Sequence, residues 1–591
     1  MSSSDEYKER RRVRAARVEQ FERTHIRLGN LRLLLAAVAA ILLWMSVRQH
    51  LLSALWIICP VLAFMAAAVW HSRVLRRQEL AKRAVAFYDR GLARIEDRWT
   101  GTGERGERFA DPHHVYSSDL DLFGDASLFQ LLSSARTRMG EETLASWLLA
   151  PGSGDEIRKR HVAVNELRAE LDLREDLAVL GEDARVGVHP EELVNWAESP
   201  NQIPARWLAW PAPILAVLAV LGAIIWAARG MATLFLAIVI VEAILTYWLK
   251  KPIEVVLHGT ENAFHDLDLL SGILARIEAH TFQSPELQGL GELVSSNVNA
   301  SRAIAKLRSL LDLILSRNNI FVRLIDVPLM YSVQLALAAE RWRKAHGHAV
   351  KQWIAVVGEM EALISFAAYA YEHPEDPFPE LTTEETLFEA ENLGHPLLPN
   401  ATCVRNNVAV CGDTRVLLVS GSNMSGKSTL LRAVGINTAL AMAGAPVRAR
   451  RLRLSPLRIG ASIRINDSLQ EGSSRFYAEI TRLRQILDLT GSVPPALFLL
   501  DELLQGTNSK DRRIGGEGIV RAFVERGSIG LVSTHDLALA DIGSNLDGYL
   551  RNVHFQDELT NGRITFDYKL REGVVTKSNG LELMRSIGLR I

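Results

Sequence analysis

Three rhythms of apolar and polar residues follow one another along this chain. The first is the unbroken apolar run. Residues 33–47 form one, bounded by Arg32 and Arg48. Residues 51–70 hold twenty positions without a charge, residues 207–228 hold twenty-two, and residues 231–249 are interrupted only by Glu242. About twenty apolar residues cross the hydrocarbon of a bilayer as a helix, so these stretches predict four transmembrane spans. Their links, Arg48-Gln49-His50 and Arg229-Gly230, are short enough to predict two helical hairpins. The second rhythm is helical. A charged helix is expected over residues 71–99, another over 157–180, and long helices over 255–370. There apolar positions recur at three- and four-residue spacing, as in Leu307, Leu310, Leu311 and Ile314. The third is the short apolar run of a buried parallel strand, at residues 416–419, 496–500 and 529–533, with helices expected over 430–443 and 475–489.

Charge orients the spans. Lys8, Arg10, Arg11, Arg12, Arg14, Arg17, Arg23, Arg27 and Arg32 precede the first. Arg73, Arg76, Arg77, Lys82 and Arg83 follow the second, and Lys250 and Lys251 the fourth. By the positive-inside rule both termini face the cytoplasm of a multi-pass inner-membrane protein, with only the turns outside. The basic N-terminal stretch is too long for a cleavable signal, and no small-residue cleavage site follows it. It reads as an orientation signal, with anionic lipid or nucleic acid as the other possible ligand. Trp44, Trp56, Trp70, Trp207, Trp210, Trp226 and Trp248 cluster near span ends, as in an aromatic belt. A net charge of −1 gives no global nucleic-acid signature, and Cys59, Cys403 and Cys411 show neither metal spacing nor a disulfide framework.

Candidate chemistry begins after the first buried strand. Gly421-Ser422-Asn423-Met424-Ser425-Gly426-Lys427-Ser428-Thr429 has the G-x-x-x-x-G-K-[ST] form of a phosphate-binding loop. Glycines let backbone N–H groups surround phosphates, and the helix that follows adds its dipole. Lys427 is expected at the β- and γ-phosphates of ATP, with the Ser428 hydroxyl on Mg²⁺. The run 496–500 ends in Asp501-Glu502. One carboxylate would hold the Mg²⁺ shell and the other would polarise the attacking water. His535 ends the run 529–533 and is placed as a γ-phosphate sensor.

These residues together resemble the MutS family. Its phosphate loop shares the Asn423-Met424 pair, and Gly394-His395-Pro396 and Gly444-Ala445-Pro446-Val447 flank it in the family's order. Gly472-Ser473-Ser474-Arg475-Phe476-Tyr477-Ala478-Glu479 is similar to the family's signature segment. Asp501-Glu502-Leu503-Leu504-Gln505-Gly506-Thr507-Asn508 resembles its Walker B and D-loop, and Lys577-Ser578-Asn579-Gly580-Leu581 its closing motif. More weakly, residues 119–151, with Thr137-Arg138-Met139-Gly140 and a Trp147-Leu148…Pro151 turn, resemble its helical core. The resemblance implies an ABC-type α/β P-loop ATPase domain preceded by an all-α core and lever domain, here with the four spans added. It also implies a homodimer of heads in which Ser474 acts in trans on the partner's γ-phosphate, with Thr507 and Asn508 at the same interface.

The domain order expected is a basic arm (1–32), a membrane hairpin (33–70), a juxtamembrane helix (71–110) and a first core segment (111–205). A second hairpin (206–249), a second core and lever segment (250–380) and the ATPase domain (381–591) follow. The family's mismatch-reading domain is expected to be missing, its place taken by the first hairpin and juxtamembrane helix. Phe87-Tyr88-Asp89 is only superficially similar to that domain's base-stacking Phe-x-Glu and reads as packing or interface. The end at Ile591 is expected to leave out the family's C-terminal dimerisation helices. Catalysis is assigned to Glu502, His535 and Ser474, and the metal to Ser428 and Asp501. The function expected is ATP hydrolysis coupled to DNA binding, with lever residues Arg302, Lys306, Arg308, Arg341, Arg343 and Lys344 as phosphate contacts or, more simply, a solvated face. The alternative is a membrane ATPase that couples head closure to a protein or membrane partner without DNA.

Overall fold

The structure, a computed structural model, describes residues 2–48, 54–200, 203, 207, 210–295, 299–317, 319–422, 424–464, 475–491, 493–535, 548–560 and 563–575. Asn423, Ser474, Asp536 and the motif at 577–581 lie outside the described residues. In chain order the helices are α1 (Ser3–Arg48), α2 (Ile58–Ile95), α3 (Leu128–Leu132), α4 (Arg138–Leu149), α5 (Gly154–Ala169), α6 (Leu171–Gly187), α7 (Pro190–Glu198) and α8 (Pro211–Arg229). Then come α9 (Thr233–Glu278), α10 (Pro285–Ser295), α11 (Ala300–Ser316), α12 (Ile320–Asp326), α13 (Tyr331–Glu372), α14 (Lys427–Ala443), α15 (Arg475–Leu489) and α16 (Ser509–Glu525). The strands are β1 (Glu380–Leu381), β2 (Phe388–Leu393), β3 (Asn406–Val410), β4 (Val416–Ser420), β5 (Arg451–Leu454), β6 (Arg458–Ser462), β7 (Ala496–Leu500), β8 (Ile529–Thr534), β9 (Leu550–Thr560) and β10 (Arg563–Glu572). The chain divides into two compact units, residues 1–133 with 145–179 and 366–591, and residues 134–144 with 180–365.

In the first unit a six-stranded sheet has the order β10-β9-β4-β8-β7-β6. Strands β6, β7, β8, β4 and β9 run parallel, and β10 closes the edge antiparallel. Every residue of β4, β7 and β8 is buried, as expected of strands covered on both faces. Because the three are parallel neighbours, the loops that follow them emerge along one edge. A second sheet of order β1-β5-β2-β3 accompanies it. Residues 111–132 pack against this α/β region rather than forming a separate helical body. The Asp119 carboxylate accepts the Ile463 and Arg464 N–H groups at 2.6 and 2.7 Å, and the Ala461 N–H donates to the Val115 carbonyl. Burial raises the Asp119 pKa, opposed by those two N–H groups.

The same unit holds the α1–α2 pair. Basic arm and predicted first span form one continuous helix, α1, and the predicted juxtamembrane helix is continuous with the second span in α2. That helix stops at Ile95, short of the expected end, and residues 99–106 are turns and irregular chain. The arm is docked. Tyr7 is fully buried, donating to Glu372 and accepting from Arg174 at 2.8 Å, while Arg94 holds Glu372 through two bonds of 2.6 Å. Arg14 pairs with Glu175 at 2.6 Å, and Arg10 and Arg11 pair with Asp172 and Asp89. Phe87 and Tyr88 pack around Tyr7, so they are core residues. The helix expected over 157–180 is two helices, α5 and α6. Glu170 leaves the helical region (φ −86°, ψ 61°), and the break carries both Leu167 and Leu171 into the core.

The second unit is helical. Helices α8 and α9 form a hairpin closed by Gly230, whose left-handed backbone (φ 76°) caps α8 with a bond to the Trp226 carbonyl. Gly222 lets the Phe235 backbone approach, and Glu242 is buried in this pair. Glu361 explains the Thr137–Gly140 motif. Its carboxylate accepts the Arg136 and Thr137 N–H groups and the Thr137 hydroxyl, capping the start of α4, and a side chain on Gly140 would collide with it. Arg343 is buried and tied to Glu340 at 2.7 Å and to the Pro200 carbonyl, and Arg308 pairs with Asp268. Arg343 therefore does not lie on the solvated or phosphate-contacting face expected of it, whereas Arg308 is exposed, as a solvated face requires.

Among the described residues, five helices are long and apolar enough to cross a membrane by length and composition. The four expected from the sequence present their apolar residues outward, among them Leu33, Ile41, Leu62, Met65, Ile214, Leu221, Leu236 and Ile240. The fifth, α13, has 89% of its apolar window buried within the protein, which makes it a core helix.

Candidate functional site

The loop after β4 is built from backbone geometry that most side chains resist. Met424 (φ 70°) and Gly426 (φ 106°) are both left-handed, and a Cβ on Gly421 would press on the Ser425 hydroxyl and the Phe555 carbonyl. Lys427 opens α14 and is buried. Its ammonium donates to the carbonyls of Gly421 and Ser422 at 2.9 and 3.0 Å, which holds it inside the loop. Burial lowers its pKa, offset by the carboxylates of Glu502 and Asp501. The Ser422 and Ser425 hydroxyls are buried with no hydrogen-bond partner among the described residues. Unpartnered buried hydroxyls beside a helix N-terminus suit an anion that would accept from them. Ser428 and Thr429 lie in the first turn of α14.

Two strand ends, those of β7 and β8, bring the acidic and imidazole groups to this loop. Asp501 follows β7, its N–H donating to Ser462 on the neighbouring β6 and its carboxylate accepting from the Ser533 hydroxyl on β8. Glu502 sits at φ 53°, unusual for a residue with a side chain, and its N–H is held by the Ser533 carbonyl and hydroxyl at 3.2 and 3.1 Å. Strain of this kind persists where surrounding bonds determine it, and here it aims the carboxylate at the loop. Glu502 Oε1 lies 4.0 Å from Lys427 Nζ and 3.4 Å from Nδ1 of His535, at the end of β8. Gln505 donates to its other oxygen. Lys427, Asp501, Glu502 and His535, separated by more than a hundred residues, thus converge at one edge of the sheet.

The turn after Glu502 is tied to α15. Glu479 accepts the Leu504 N–H at 2.6 Å, and Leu504 is itself left-handed (φ 57°). Asn508 caps α16, accepting the Asp511 N–H at 2.9 Å. That is a structural role alongside the interface role expected of it.

Sequence reasoning did not find the cavity beside the loop. It measures about 360 Å³ and is lined by His395, Leu398, Cys403, Gly426, Phe555 and Tyr568, among others. Burial, with Arg432 adding to it, pushes the His395 pKa down to about 4, so the ring is neutral near pH 7. Its Nδ1 accepts the Leu397 N–H at 3.3 Å, which places the ring proton on Nε2. Tyr568 stands at φ 56° where the β9–β10 register shifts, and Asn406 holds the irregularity through bonds to the Tyr568 carbonyl (3.0 Å) and the Leu570 N–H (2.8 Å). The tyrosine ring is thereby brought against Gly426. Only the fold reveals it, because nothing local in residues 563–572 marks a site.

Residues 417–590 match the family model described as MutS domain V. The chain is similar to Endonuclease MutS2 of Thermus thermophilus, 35% identical over 203 residues, covering 34% of this chain and 26% of that protein. It is similar to DNA mismatch repair protein MutS of Shouchella clausii (29% over 262 residues, 42% and 28%) and to DNA mismatch repair protein MutS 2 of Halobacterium salinarum (33% over 268 residues, 43% and 28%). The matched segment therefore spans about a quarter of each of these relatives.

Proposed function

On the premise that the chain belongs to the MutS family, we propose that it is a membrane-anchored ATPase whose paired heads close on ATP and act on DNA. The observation that carries the ATPase reading is the convergence of Lys427, Asp501, Glu502 and His535 on one loop whose Ser422 and Ser425 hydroxyls lack partners among the described residues. ATP phosphates fit the loop's N–H groups and Lys427. Ser428 and Asp501 would supply oxygen donors to Mg²⁺, which when bound would neutralise phosphate charge. Glu502 orients a water and takes its proton as the water oxygen bonds to the γ-phosphorus and the bond to the bridging oxygen breaks. His535, hydrogen-bonding at Nδ1 with Glu502 or with phosphate, reports whether the γ-phosphate is there. The cavity beside Gly426 has walls suited to a nucleobase: the Tyr568 and Phe555 rings for stacking and His395 Nε2–H as a donor. Ser474 acts on the partner's nucleotide, as the family resemblance implies.

Support for DNA comes from the relatives' names, two of which are mismatch repair proteins. The partner-driven reading draws on a different observation: Arg308 and Arg343 are engaged within the protein, while four apolar helices face outward. Steady-state hydrolysis by the full chain in detergent, with homoduplex, mismatched and branched DNA across a salt series, separates the two. Stimulation that fades steeply with salt supports DNA, since counterion release demands that dependence. A rate indifferent to every DNA rules out the DNA reading and leaves a membrane or protein partner.

A further inference from the structure

The link between α11 and α13 is built inside out. Asp326 turns inward to accept the Ser332 N–H and hydroxyl at 2.8 and 3.0 Å, and Asn319 caps α12 by accepting the Phe321 N–H at 3.0 Å. The apolar residues point the other way. Ile320 is 70% exposed, Phe321 74% and Leu324 72%, with Ile325 and Leu315 also exposed. Spacing of one and four residues puts Ile320, Phe321 and Leu324 on one side of the helix. Leaving three such large apolar side chains in water forgoes the gain of burying them, so a partner surface is implied.

The neighbouring helix says which surface. Helix α11 runs antiparallel to α9: Ser301 is bonded to Glu278, Arg308 to Asp268, and Leu311 and Leu315 wall the same cavity as residues 258–266. The C-terminal end of α11, and α12 beyond it, therefore lie toward the Lys250-Lys251 end of α9, where the apolar run of residues 231–249 stops. The exposed Val255 of α9 lies on this stretch, and Arg317 and Arg323 flank the apolar residues of α12. Apolar side chains bordered by arginine, next to the exit of a span, match an element lying in the headgroup and acyl boundary.

We propose that α12 is a third membrane contact, with Ile320, Phe321 and Leu324 seated in the cytoplasmic leaflet beside the exit of α9. This rests on the reading of α8 and α9 as membrane spans, and the test separates the two. Full-length protein with Ser in place of Cys59, Cys403 and Cys411 would carry one new cysteine, Leu324→Cys or, in a parallel preparation, Leu236→Cys in α9. Each is labelled with nitrobenzoxadiazole and reconstituted in phosphatidylglycerol–phosphatidylcholine bilayers. Nitroxide lipids spin-labelled at the headgroup are expected to quench the Leu324 label about twofold or more, because an interfacial helix sits only about 5–10 Å deep. Lipids labelled in the acyl chain should quench the Leu236 label. An unquenched Leu236 label overturns the span reading itself. Quenching at Leu236 with none at Leu324 overturns the α12 proposal and leaves the spans standing. Quenching at Leu324 that follows protein density rather than nitroxide lipid assigns the patch to a second copy of the chain, which also overturns it.

Discussion

Nδ1 of His535 lies 3.4 Å from Oε1 of Glu502, and the same oxygen lies 4.0 Å from the Lys427 ammonium. One carboxylate thus answers both to the group placed at the phosphates and to the group placed as their sensor. Replacing it by an amide keeps the shape and removes the base. Glu502→Gln should lower the hydrolysis rate by about a hundredfold or more, the scale of a lost general base, while ATP still binds. Light scattering should then find an ATP-dependent dimer. A variant that stays monomeric with ATP in detergent contradicts the paired-head mechanism.

Tyr568 is held against Gly426 by Asn406, and its ring is the stacking surface proposed for the base. Loss of one base-stacking ring costs about 1–3 kcal/mol. Tyr568→Ala should therefore weaken ATP binding measured by calorimetry and leave inorganic triphosphate binding unchanged. Equal weakening of both would place the tyrosine at the phosphates or in the fold instead.

His395 gives a pH dependence of known sign. Its folded pKa, about 4, lies below the ordinary 6.5, so between those values the unfolded chain binds the additional proton. Stability should fall as pH drops from 6.5 toward 4, with His395 contributing about 1.4 kcal/mol per pH unit in that window. His161 and His373, lowered by burial to about 4 and about 3, add to the slope in the same direction. Unfolding midpoints of His395→Gln across this range should show the shallower slope, and an unchanged slope refutes the assignment.

Arg94 and Glu372 form a buried pair that also receives the Tyr7 hydroxyl. Breaking a buried pair by removing one partner typically costs about 3–5 kcal/mol because the other charge stays behind. Arg94→Met alone should lower stability by that order in chemical denaturation. The double variant Arg94→Met, Glu372→Leu should recover much of the loss. A double variant no better than the single one would show that the pair matters through Tyr7 and shape rather than charge.

The sequence made legible what is locally periodic. Strand β7 falls on the residues expected, and β4, β8 and α15 differ by a residue or none, because buried parallel strands and an amphipathic helix write themselves into composition. Asp501, Glu502 and His535 were legible for the same reason, since each follows the end of such a strand, and Lys427 was legible from the motif of its loop. What depended on distant pairing was not. No local signal tells that Asn406 bends the β9–β10 ribbon to deliver Tyr568, or that Arg343 turns inward to Glu340. The break at Glu170 is equally silent: both flanking segments favour helix, and only the burial of Leu167 and Leu171 selects the turn between them. The outward helices α8 and α9 show the opposite case, where hydropathy alone marks the candidate spans and the fold adds that their apolar faces find little cover among the described residues.

Phosphate release by the full-length chain with Mg²⁺ and ATP, measured beside Lys427→Ala, tests the central claim most directly. Hydrolysis by the native chain and its loss in the variant, with the fold retained by circular dichroism, is the result expected. Equal rates in the two proteins would contradict a catalytic site built on this loop.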